Sequence, residues 1–416
     1  MLAQFWYVFG REWRYILKNK RLLFILLGVP LLYITLFGIL YSQHVVNHIS
    51  LGVLDMDNTS LSRAVITAFS DSDRFRYTTK LDSQKHMEEA MEKGEIMAAI
   101  VIPPNFTKNI KRGEGSQVMV VVNGANMIIG NAATTAASEI IQTLSAGTLL
   151  KKLEGTGLPP EMARKFVQPI SFRLRVWYNP TFNYTNFLLL GLMATVIQQV
   201  ALLYMAVAMV REKEQGTLGE IRERCSSAFA VVTGKILPYF LINLVTLNLL
   251  LVEGVYLFQI PFEGKYLYLL LLTVAFLACI LSLGILLSSV FRNELEATQV
   301  AMLVAVPSFL FSGYTWPLMA MPPLAKAIAR VLPLTYYADN VRKIFLMNVG
   351  LNTILPDLLV LAGAAIVFFG VTVVVVKRKY LAGPNSGACI QNNIGQSVGV
   401  ESKREGEAAE EYLQES

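Results

Sequence analysis

Charged residues are scarce in this chain, and long stretches have none. Of its 416 residues, 54% are hydrophobic and 16% are charged, against roughly 45–50% apolar and about 25% charged residues in an ordinary soluble domain. The charges are concentrated between the uncharged runs, as they are in a polytopic membrane protein. The composition therefore argues against a soluble protein.

Cysteine is also rare. Cys225, Cys279 and Cys389 fall in a polar loop, an apolar run and the C-terminal segment, so their spacing indicates no disulfide pairing. Residues 44–180 contain no cysteine. We therefore expect this segment to fold by burying a core of its own, without disulfide bonds.

Several motifs that would indicate an activity are absent. The chain has no G-x-x-x-x-G-K-[ST] sequence, so it lacks the usual phosphate-binding loop for ATP hydrolysis. Its apolar runs contain no paired acids, no G-x-S-x-G and no H-E-x-x-H. Despite a net charge of +6, no basic face interleaved with aromatic residues indicates nucleic acid binding. We predict no enzyme, no catalytic residue, no cofactor and no nucleic acid partner.

Six apolar runs are long enough to cross a membrane, which needs about 20 residues in a helix. The first belongs to a segment at 22–43, and the other five lie within 181–379. We predict transmembrane helices at Leu22–Gln43, Phe182–Val210, Ile236–Phe258, Tyr266–Phe291, Ala297–Leu318 and Leu358–Val376.

Basic residues flank the first and last of these runs, and an even number of spans places both termini on one side. The positive-inside bias makes that side the cytoplasm. Four basic residues then fall on the outer side, between the fifth and sixth spans: Lys326, Arg330, Arg342 and Lys343. We therefore predict that the outer segment 319–348 forms two short helices broken at Pro333, which dip into or lie on the membrane.

The remaining segments have different compositions. Residues 1–21 place aromatic and aliphatic residues at helical spacing opposite basic ones, which predicts a cytoplasmic interfacial helix. Residues 44–180 alternate short apolar runs with helical patterns, which predicts an extracytoplasmic α/β domain. Residues 380–416 lack apolar runs, which predicts a disordered cytoplasmic tail. The predicted fold is an α-helical polytopic membrane protein with six transmembrane helices and this inserted α/β domain.

Within residues 44–180 the pattern also predicts individual elements. Short buried runs predict three strands, and amphipathic runs predict three helices. The strands are Leu51–Leu54, Ile96–Ile102 and Val118–Val122, and the helices are Leu61–Phe69, Ser83–Glu92 and Ala132–Leu153.

Histidines and acids offer weak candidate sites. His44 and His48 are one helical turn apart, but no cysteine or further histidine lies near them in sequence, so we predict no metal site. Asp55 and Asp57 are interpreted as turn formers. Glu253, near the predicted outer end of the third span, and Asp357, before the sixth, are interpreted as boundary residues.

Four amides lie deeper in the predicted spans, namely Gln198, Gln199, Asn243 and Asn248. Amides in a membrane either connect helices by hydrogen bonds or line a path for a polar substrate. Helix packing is the simpler interpretation, and a substrate path is the alternative.

The polar loop after the second span, within 211–235, begins with the sequence REKEQGTLGE at residues 211–220. This stretch resembles the type-2 ABC transporter permease family, whose members carry R-E-[KR]-E-x-G-T in the same loop. The resemblance implies a cytoplasmic coupling helix that docks on an ATPase subunit. A solvated, charged loop is the alternative. The implied coupling residues are Arg211, Glu212, Lys213, Glu214, Gly216, Thr217 and Glu220.

A second match surrounds the fifth span. FSGYTWP at 311–317, MP at 321–322 and LPLTYY at 332–337 resemble the family's F-S-G-x-x-x-P, M-P and P-x-x-Y signature. The segments at 53–63 and 94–106 are also similar to the family's outer domain. The resemblance implies a helix break and an outer gate at Phe311, Gly313, Pro317, Pro322, Pro333 and Tyr336.

The resemblance implies the permease subunit of an ABC exporter in a bacterial plasma or inner membrane. Its expected partners are separate ATPase subunits, a second permease in a homodimer or heterodimer, and the lipid membrane, with a periplasmic adaptor as a further candidate. The apolar lining favours an amphiphilic substrate. The alternative function is a membrane-anchored scaffold or sensor whose outer domain binds a ligand or partner.

Overall fold

The computed structural model describes residues 1–41, 46–167, 177–179 and 183–381. Within these, the chain forms two compact units, Met1–Ser42 with Thr185–Ser416, and Gln43–Tyr184. Several predictions concern residues outside the described ranges: most of the tail predicted at 380–416, the end of the first span at Gln43, and His44 and Cys389. The first two residues assigned to the tail, Tyr380 and Leu381, instead lie in a π-helical turn, and Tyr380 is buried against the spans.

The first unit is helical throughout its described residues. Its helices are α1 (Leu2–Lys18), α2 (Lys20–Leu23), α3 (Val29–Leu40), α9 (Tyr184–Glu214), α10 (Leu218–Arg224), α11 (Ala228–Tyr256), α12 (Tyr266–Val290), α13 (Glu294–Phe311), α14 (Pro323–Val331), α15 (Pro333–Met347) and α16 (Leu351–Val376). A π-helical turn at Phe24–Gly28 joins α2 to α3, and another at Lys377–Leu381 extends α16.

Six helices among the described residues are long and apolar enough to cross a membrane. This confirms a helical membrane protein with six candidate spans. We number them spans 1 to 6, in the order Lys20–Leu40, Tyr184–Glu214, Ala228–Tyr256, Tyr266–Val290, Glu294–Phe311 and Leu351–Leu381.

Several span boundaries differ from those predicted. Span 2 continues past Val210 to Glu214, and span 3 begins at Ala228 instead of Ile236, so only residues 215–227 separate the two spans. The hydropathy pattern ended each helix at its first charged residue, but those charges are paired inside the protein and do not interrupt the helices. Span 5 ends at Phe311 instead of Leu318.

Span 2 forms the centre of this unit. Most of its residues are buried, whereas spans 1, 5 and 6 bury only a minority of theirs. The spans approach closely where glycine permits it: a Cβ atom at Gly284 of span 4 would lie 2.7 Å from the Cβ of Met205 in span 2. Small residues commonly allow such contact between membrane helices. The exposed apolar faces of spans 1, 5 and 6 suit contact with lipid or another membrane subunit.

The second unit contains a sheet of four strands within its described residues, β1 (Ile49–Asp55), β2 (Phe75–Lys80), β3 (Ala98–Ile102) and β4 (Met119–Val122), in the order β2-β1-β3-β4. β1 is parallel to β2 and β3, and β4 is antiparallel to β3. The helices of this unit are α4 (Ser60–Ser70), α5 (Gln84–Glu92), α6 (Phe106–Arg112), α7 (Met127–Gly155) and α8 (Pro160–Val167).

Helices cover both faces of the sheet. Val65 of α4 and Ala133 of α7 pack with Leu51 and Ile100 on one face. Met87 of α5 packs with Leu54 on the other. The three predicted strands and the three predicted helices are confirmed, whereas β2, α6 and α8 were missed. β2 lies at the sheet edge with only its first residue buried, so its sequence shows no alternation of apolar and polar residues.

The turn after β1 confirms the interpretation of the two aspartates. The Asp55 carboxylate accepts hydrogen bonds from the backbone N–H groups of Asp57 and Asn58, both at 3.0 Å. The Asp57 carboxylate accepts from the hydroxyl of Thr107 at 2.7 Å and from its N–H at 3.1 Å. The hydrogen bond from the Thr107 hydroxyl, which stabilises the ionised form, lowers the pKa of Asp57.

Candidate coupling site

The predicted coupling residues divide into a buried pair and an exposed group. Arg211 and Glu212 are buried in the last turns of span 2, and Thr217 is half-buried. The exposed group follows them in sequence and consists of Lys213, Glu214, Gly216 and Glu220. Only the exposed group is available to a partner, so the two groups must have different roles.

Arg211 and Glu212 belong to a buried ion cluster that has Glu12 and Lys235 at its centre. Lys235, in the second turn of span 3, is fully buried. Its ammonium group donates to Glu12 and to Glu212, each at 2.9 Å, and to the carbonyl of Ala208 at 3.1 Å. These bonds use all three donors of the ammonium group, as burial of a charge requires.

The two carboxylates bind further donors. Glu12 accepts from Arg211 at 2.5 Å and from the Tyr239 hydroxyl at 3.1 Å. Glu212 accepts from Arg11 at 2.5 Å and from the hydroxyl of Thr217. The cluster therefore joins α1, span 2, span 3 and the residue that precedes α10.

Two carboxylates and three cations give the cluster a net charge of +1. Arg11 is the least buried of the three cations, with a side chain that is 25% exposed. Burial alone would raise the pKa of Glu12, but Lys235 and Arg211 outweigh it and hold this pKa below its ordinary value. Glu12 is therefore ionised at neutral pH, and its charge is matched inside the protein.

Apolar contacts hold α1 against span 3 beside the cluster. Val8, Glu12 and Ile16 form its buried face. A Cβ atom at Gly234 would lie 2.8 Å from the Cβ of Val8, so only glycine allows this approach. The guanidinium of Arg211 also stacks over the Tyr15 ring, 3.8 Å from its centroid. The inner face of α1 therefore packs on the protein, and the position of this helix in the headgroup layer stays a prediction.

The exposed group leads into α10. Gly216 has a φ of +70°, the left-handed conformation that commonly ends a helix and that glycine adopts without strain. Ile221 anchors α10 in the core, whereas Glu220, Glu223 and Arg224 are exposed. α10 thus presents a charged face at the tip of a loop that is fixed at its base by the ion cluster.

The predicted outer-gate residues lie at and after the C-terminal end of span 5. The span ends at Phe311, and Gly313 has a φ of +81°. This turn buries Tyr314, whose hydroxyl donates to the carbonyl of Phe187 and whose ring stacks on the Phe187 ring at 5.0 Å. A Cβ atom at Gly191 would lie 2.3 Å from the Tyr314 ring. The motif therefore fixes the end of span 5 against span 2.

Two short helices, α14 and α15, follow this turn. Pro317 and Pro322 are exposed in the connection before α14, and the buried Pro333 opens α15. The Tyr336 hydroxyl donates to the Arg330 carbonyl at 2.6 Å, at the end of α14. The prediction of two short helices broken at Pro333 is confirmed.

The amides in the spans bond mainly within their own helices. Asn243 and Asn248 donate to the carbonyls four residues earlier, at 2.8 and 2.7 Å. The Asn248 oxygen also accepts from the Tyr266 hydroxyl at 2.6 Å. Gln198 is buried and Gln199 half-buried, and the Gln198 side-chain oxygen has no hydrogen-bond partner among the described residues.

The boundary acids connect neighbouring helices. Glu253 of span 3 accepts from the Thr35 hydroxyl of span 1 at 2.5 Å, and Asp357 of span 6 accepts from the Asn340 amide at 2.6 Å. Across the part of the chain that the structure describes, no three histidine, cysteine or acidic residues are grouped so as to hold a metal ion.

Sequence reasoning missed Glu12 and Lys235, although a signal was present. Glu12 is the only acid in the first 54 residues, and it shares the apolar side of its helix with Val8 and Ile16. Lys235 is the only charge between Arg224 and Glu253. One acid on the apolar side of a helix and one lysine within an apolar run indicate a buried ion pair, because an unpaired buried charge is too costly.

The chain is similar in sequence to several known transporter proteins. The chain is 23% identical over 372 residues to "Probable multidrug ABC transporter permease YbhS" of Escherichia coli K12, covering 89% of this chain and 95% of that protein. It is 22% identical to "Probable multidrug ABC transporter permease YbhR" of the same organism, over 85% of this chain and 93% of that protein. It is 26% identical to "ABC transporter G family member 20" of Dictyostelium discoideum, over 82% of this chain but 46% of that protein.

The family described as "ABC-2 family transporter protein" matches residues 20–374, which include all of spans 1 to 5 and most of span 6. The match also includes Arg211, Glu212 and Lys235 of the ion cluster, whereas Glu12 precedes it. The chain belongs to the ABC-2 family of transporter proteins and is a membrane permease subunit of an ABC transporter.

Proposed function

We propose that this permease exports an amphiphilic substrate, driven by ATP that a separate subunit hydrolyses. That ATPase docks on the exposed face of α10, and the buried ion cluster transmits its movement to the spans. The observation that carries the proposal is the cluster itself, since it connects α1, span 2, span 3 and the base of the docking loop through charge-assisted hydrogen bonds.

Such a connection suits the transmission of force. A displacement of α10 by closure of the ATPase would move spans 2 and 3 together with α1, as a rigid body. Separating these elements would leave charges buried without partners, which is costly. A flexible loop would instead absorb the displacement locally.

The charge distribution supports the membrane orientation that this proposal requires. Basic residues precede span 1 and follow span 6, which favours both termini in the cytoplasm of a bacterial plasma or inner membrane. The exposed α10 then faces the ATPase from the cytoplasm. Gln43–Tyr184 is then an extracytoplasmic α/β domain, where a periplasmic adaptor is a candidate partner.

The transport path in this proposal forms with a second permease, a copy of this chain or a related one. Spans 1, 5 and 6 leave exposed apolar faces for lipid and for that partner. Gln198, Gln199, Asn243 and Asn248 supply the polar groups of the path. At the outer end, the turn containing Phe311 and Gly313, with Pro317, Pro322, Pro333 and Tyr336, forms the gate.

Two substitutions separate docking from transmission. Glu220→Lys reverses an exposed charge on α10 and should weaken binding of the ATPase. Glu12→Gln changes the buried cluster and should leave ATPase binding intact while substrate no longer stimulates ATP turnover. Glu95→Lys is the matched control, since it makes the same charge reversal on an exposed residue of the other unit.

The measurement is ATPase pull-down and substrate-stimulated ATP turnover in reconstituted vesicles. The candidate ATPase for this assay is a Walker-motif protein whose gene neighbours that of the permease. A native chain that recruits no ATPase would overturn the proposal in favour of a scaffold or sensor. Loss of binding in Glu95→Lys to the same degree as in Glu220→Lys would overturn the docking role of α10.

A further inference from the structure

A pocket of about 340 Å³ opens in the second unit, between α4, α6 and α7. Pockets that hold small molecules typically have volumes from about 300 to 1,000 Å³. Its volume is therefore sufficient for a small ligand. The pocket lies wholly within Gln43–Tyr184 and is separate from the coupling site.

The inner part of this pocket is apolar. Leu61 and Val65 of α4, Phe106 and Ile110 of α6, and Leu144 of α7 contribute to its lining. Phe106 and Val65 are almost fully buried, whereas Leu61, Ile110 and Leu144 retain partial exposure. An apolar group that entered here would be removed from water together with these side chains.

The mouth of the pocket has one charge. Lys152 is the only ionisable residue in the lining, and it is exposed on α7. Within the described ranges its ammonium group makes no ion pair or hydrogen bond. A Cβ atom at Gly113 would lie 3.1 Å from the Lys152 nitrogen, and Gly113 has a φ of +83°. The glycine turn therefore leaves space beside a free cation.

Helical spacing aligns the apolar and charged parts. Ser145 and Lys152 are seven residues apart on α7, with Thr148 and Leu149 between them, and all four line the pocket. Seven residues span about 10 Å along a helix and return to the same face. A single molecule can therefore contact Lys152 with one end and the apolar interior with the other.

We propose that this pocket binds a small anionic amphiphile. Its acidic head pairs with Lys152, and its apolar tail enters between α4, α6 and α7. The single unpaired cation specifies the charge of the ligand, and the apolar lining specifies the tail. The proposal concerns binding by this unit and does not depend on the direction of transport or on the ATPase.

The test is protection of a cysteine in the pocket from a maleimide reagent. The full chain is purified into lipid nanodiscs, which expose both sides, with Cys389→Ser and Ser145→Cys. Cys225 and Cys279 remain, and both are buried. The probes are decyl sulfate and decyltrimethylammonium below their critical micelle concentrations, which share a tail and differ in the charge of the head. Thr78→Cys, on the exposed face of β2, replaces Ser145→Cys in the control.

Decyl sulfate should slow labelling at residue 145 about tenfold when its concentration is about ten times its Kd. Decyltrimethylammonium should have little effect, and labelling at residue 78 should be unchanged. Lys152→Glu should weaken protection by decyl sulfate about tenfold or more and increase protection by the cation. Lys151→Gln, on the neighbouring exposed residue, should change neither.

Three results would overturn the proposal. Equal protection by both probes would show an apolar groove without charge selectivity. Equal protection at residues 145 and 78 would show adsorption to the protein or the lipid. The third result concerns labelling at residue 145 without a probe. Slow labelling that Ala64→Trp relieves, together with a complex in mass photometry that the same substitution disrupts, would show that a second copy covers the pocket.

Discussion

The membrane unit contains two ion clusters with similar distances and different surroundings. Lys235 lies 2.9 Å from Glu12, and the two side chains are 1% and 2% exposed. Asp339 lies 2.7 Å from Arg342 and 2.6 Å from Lys343, with exposures of 26–31%. Exposed ion pairs contribute about 0–1 kcal/mol, whereas removing one partner of a buried pair costs about 3–5 kcal/mol. The exposed cluster also lies within one helix, α15, so it joins no helices, whereas the buried cluster joins three.

The largest effect should come from Glu12→Gln. This change leaves Glu212 with three cations and raises the net charge of the buried cluster from +1 to +2. We expect the free energy of unfolding to fall by about 3–5 kcal/mol, measured by denaturant or thermal unfolding in nanodiscs. A loss below about 1 kcal/mol would show that the buried cluster behaves like an exposed one.

A smaller loss should follow Lys235→Met. The remaining residues, Glu12 and Glu212 with Arg11 and Arg211, are electrically neutral, and Met occupies a volume similar to that of Lys. We expect a loss of about 1–3 kcal/mol, because the carbonyl of Ala208 and each carboxylate lose one hydrogen bond. The same unfolding measurement gives the order of the two variants, and a larger loss than in Glu12→Gln would contradict the charge argument.

Acid should reduce the difference between the native chain and Glu12→Gln. The pKa of Glu12 lies below its ordinary value of 4.5, so its contribution to stability is complete above pH 4.5 and is lost as the pH falls through the lowered pKa. Unfolding curves recorded from neutral to acidic pH should therefore converge only at the acidic end. Convergence already at neutral pH would show that Glu12 is not held ionised by its partners.

Asp339→Asn should have the smallest effect. It removes the acid of the exposed cluster, and Arg342 and Lys343 can then be solvated by water. We expect a loss of less than about 1 kcal/mol, reduced further by added salt. A loss similar to that of Glu12→Gln would remove the distinction between the clusters.

The coupling site was only partly predictable. The sequence 211–220 identified the segment by resemblance, but it gave the same role to Arg211 and Glu220. The structure gives them different environments, since Arg211 is buried against Glu12 and Glu220 is exposed. The motif at 211–220 contains no information about α1, whose Glu12 lies 199 residues away from Arg211 in sequence.

The second unit shows a similar division. β1, β3 and β4 and three helices were predictable because their apolar residues repeat with the period of the element. β2 was not, since an edge strand with one buried residue needs no apolar pattern. The pocket beside Lys152 was not predictable either, because it forms between three helices and the glycine turn at Gly113.

By itself, the sequence determined the six spans, since each of them requires a long uncharged run and hydropathy is a local property of the chain. It also determined the breaks at Gly313 and Pro333, because glycine permits the left-handed conformation that ends a helix and proline cannot continue a preceding helix. Only the tertiary structure decided where the span 2 and span 3 helices end and which charges are buried. Lys235 can lie inside the protein because Glu12 and Glu212 reach it from two other helices, and only the packed fold brings those helices together.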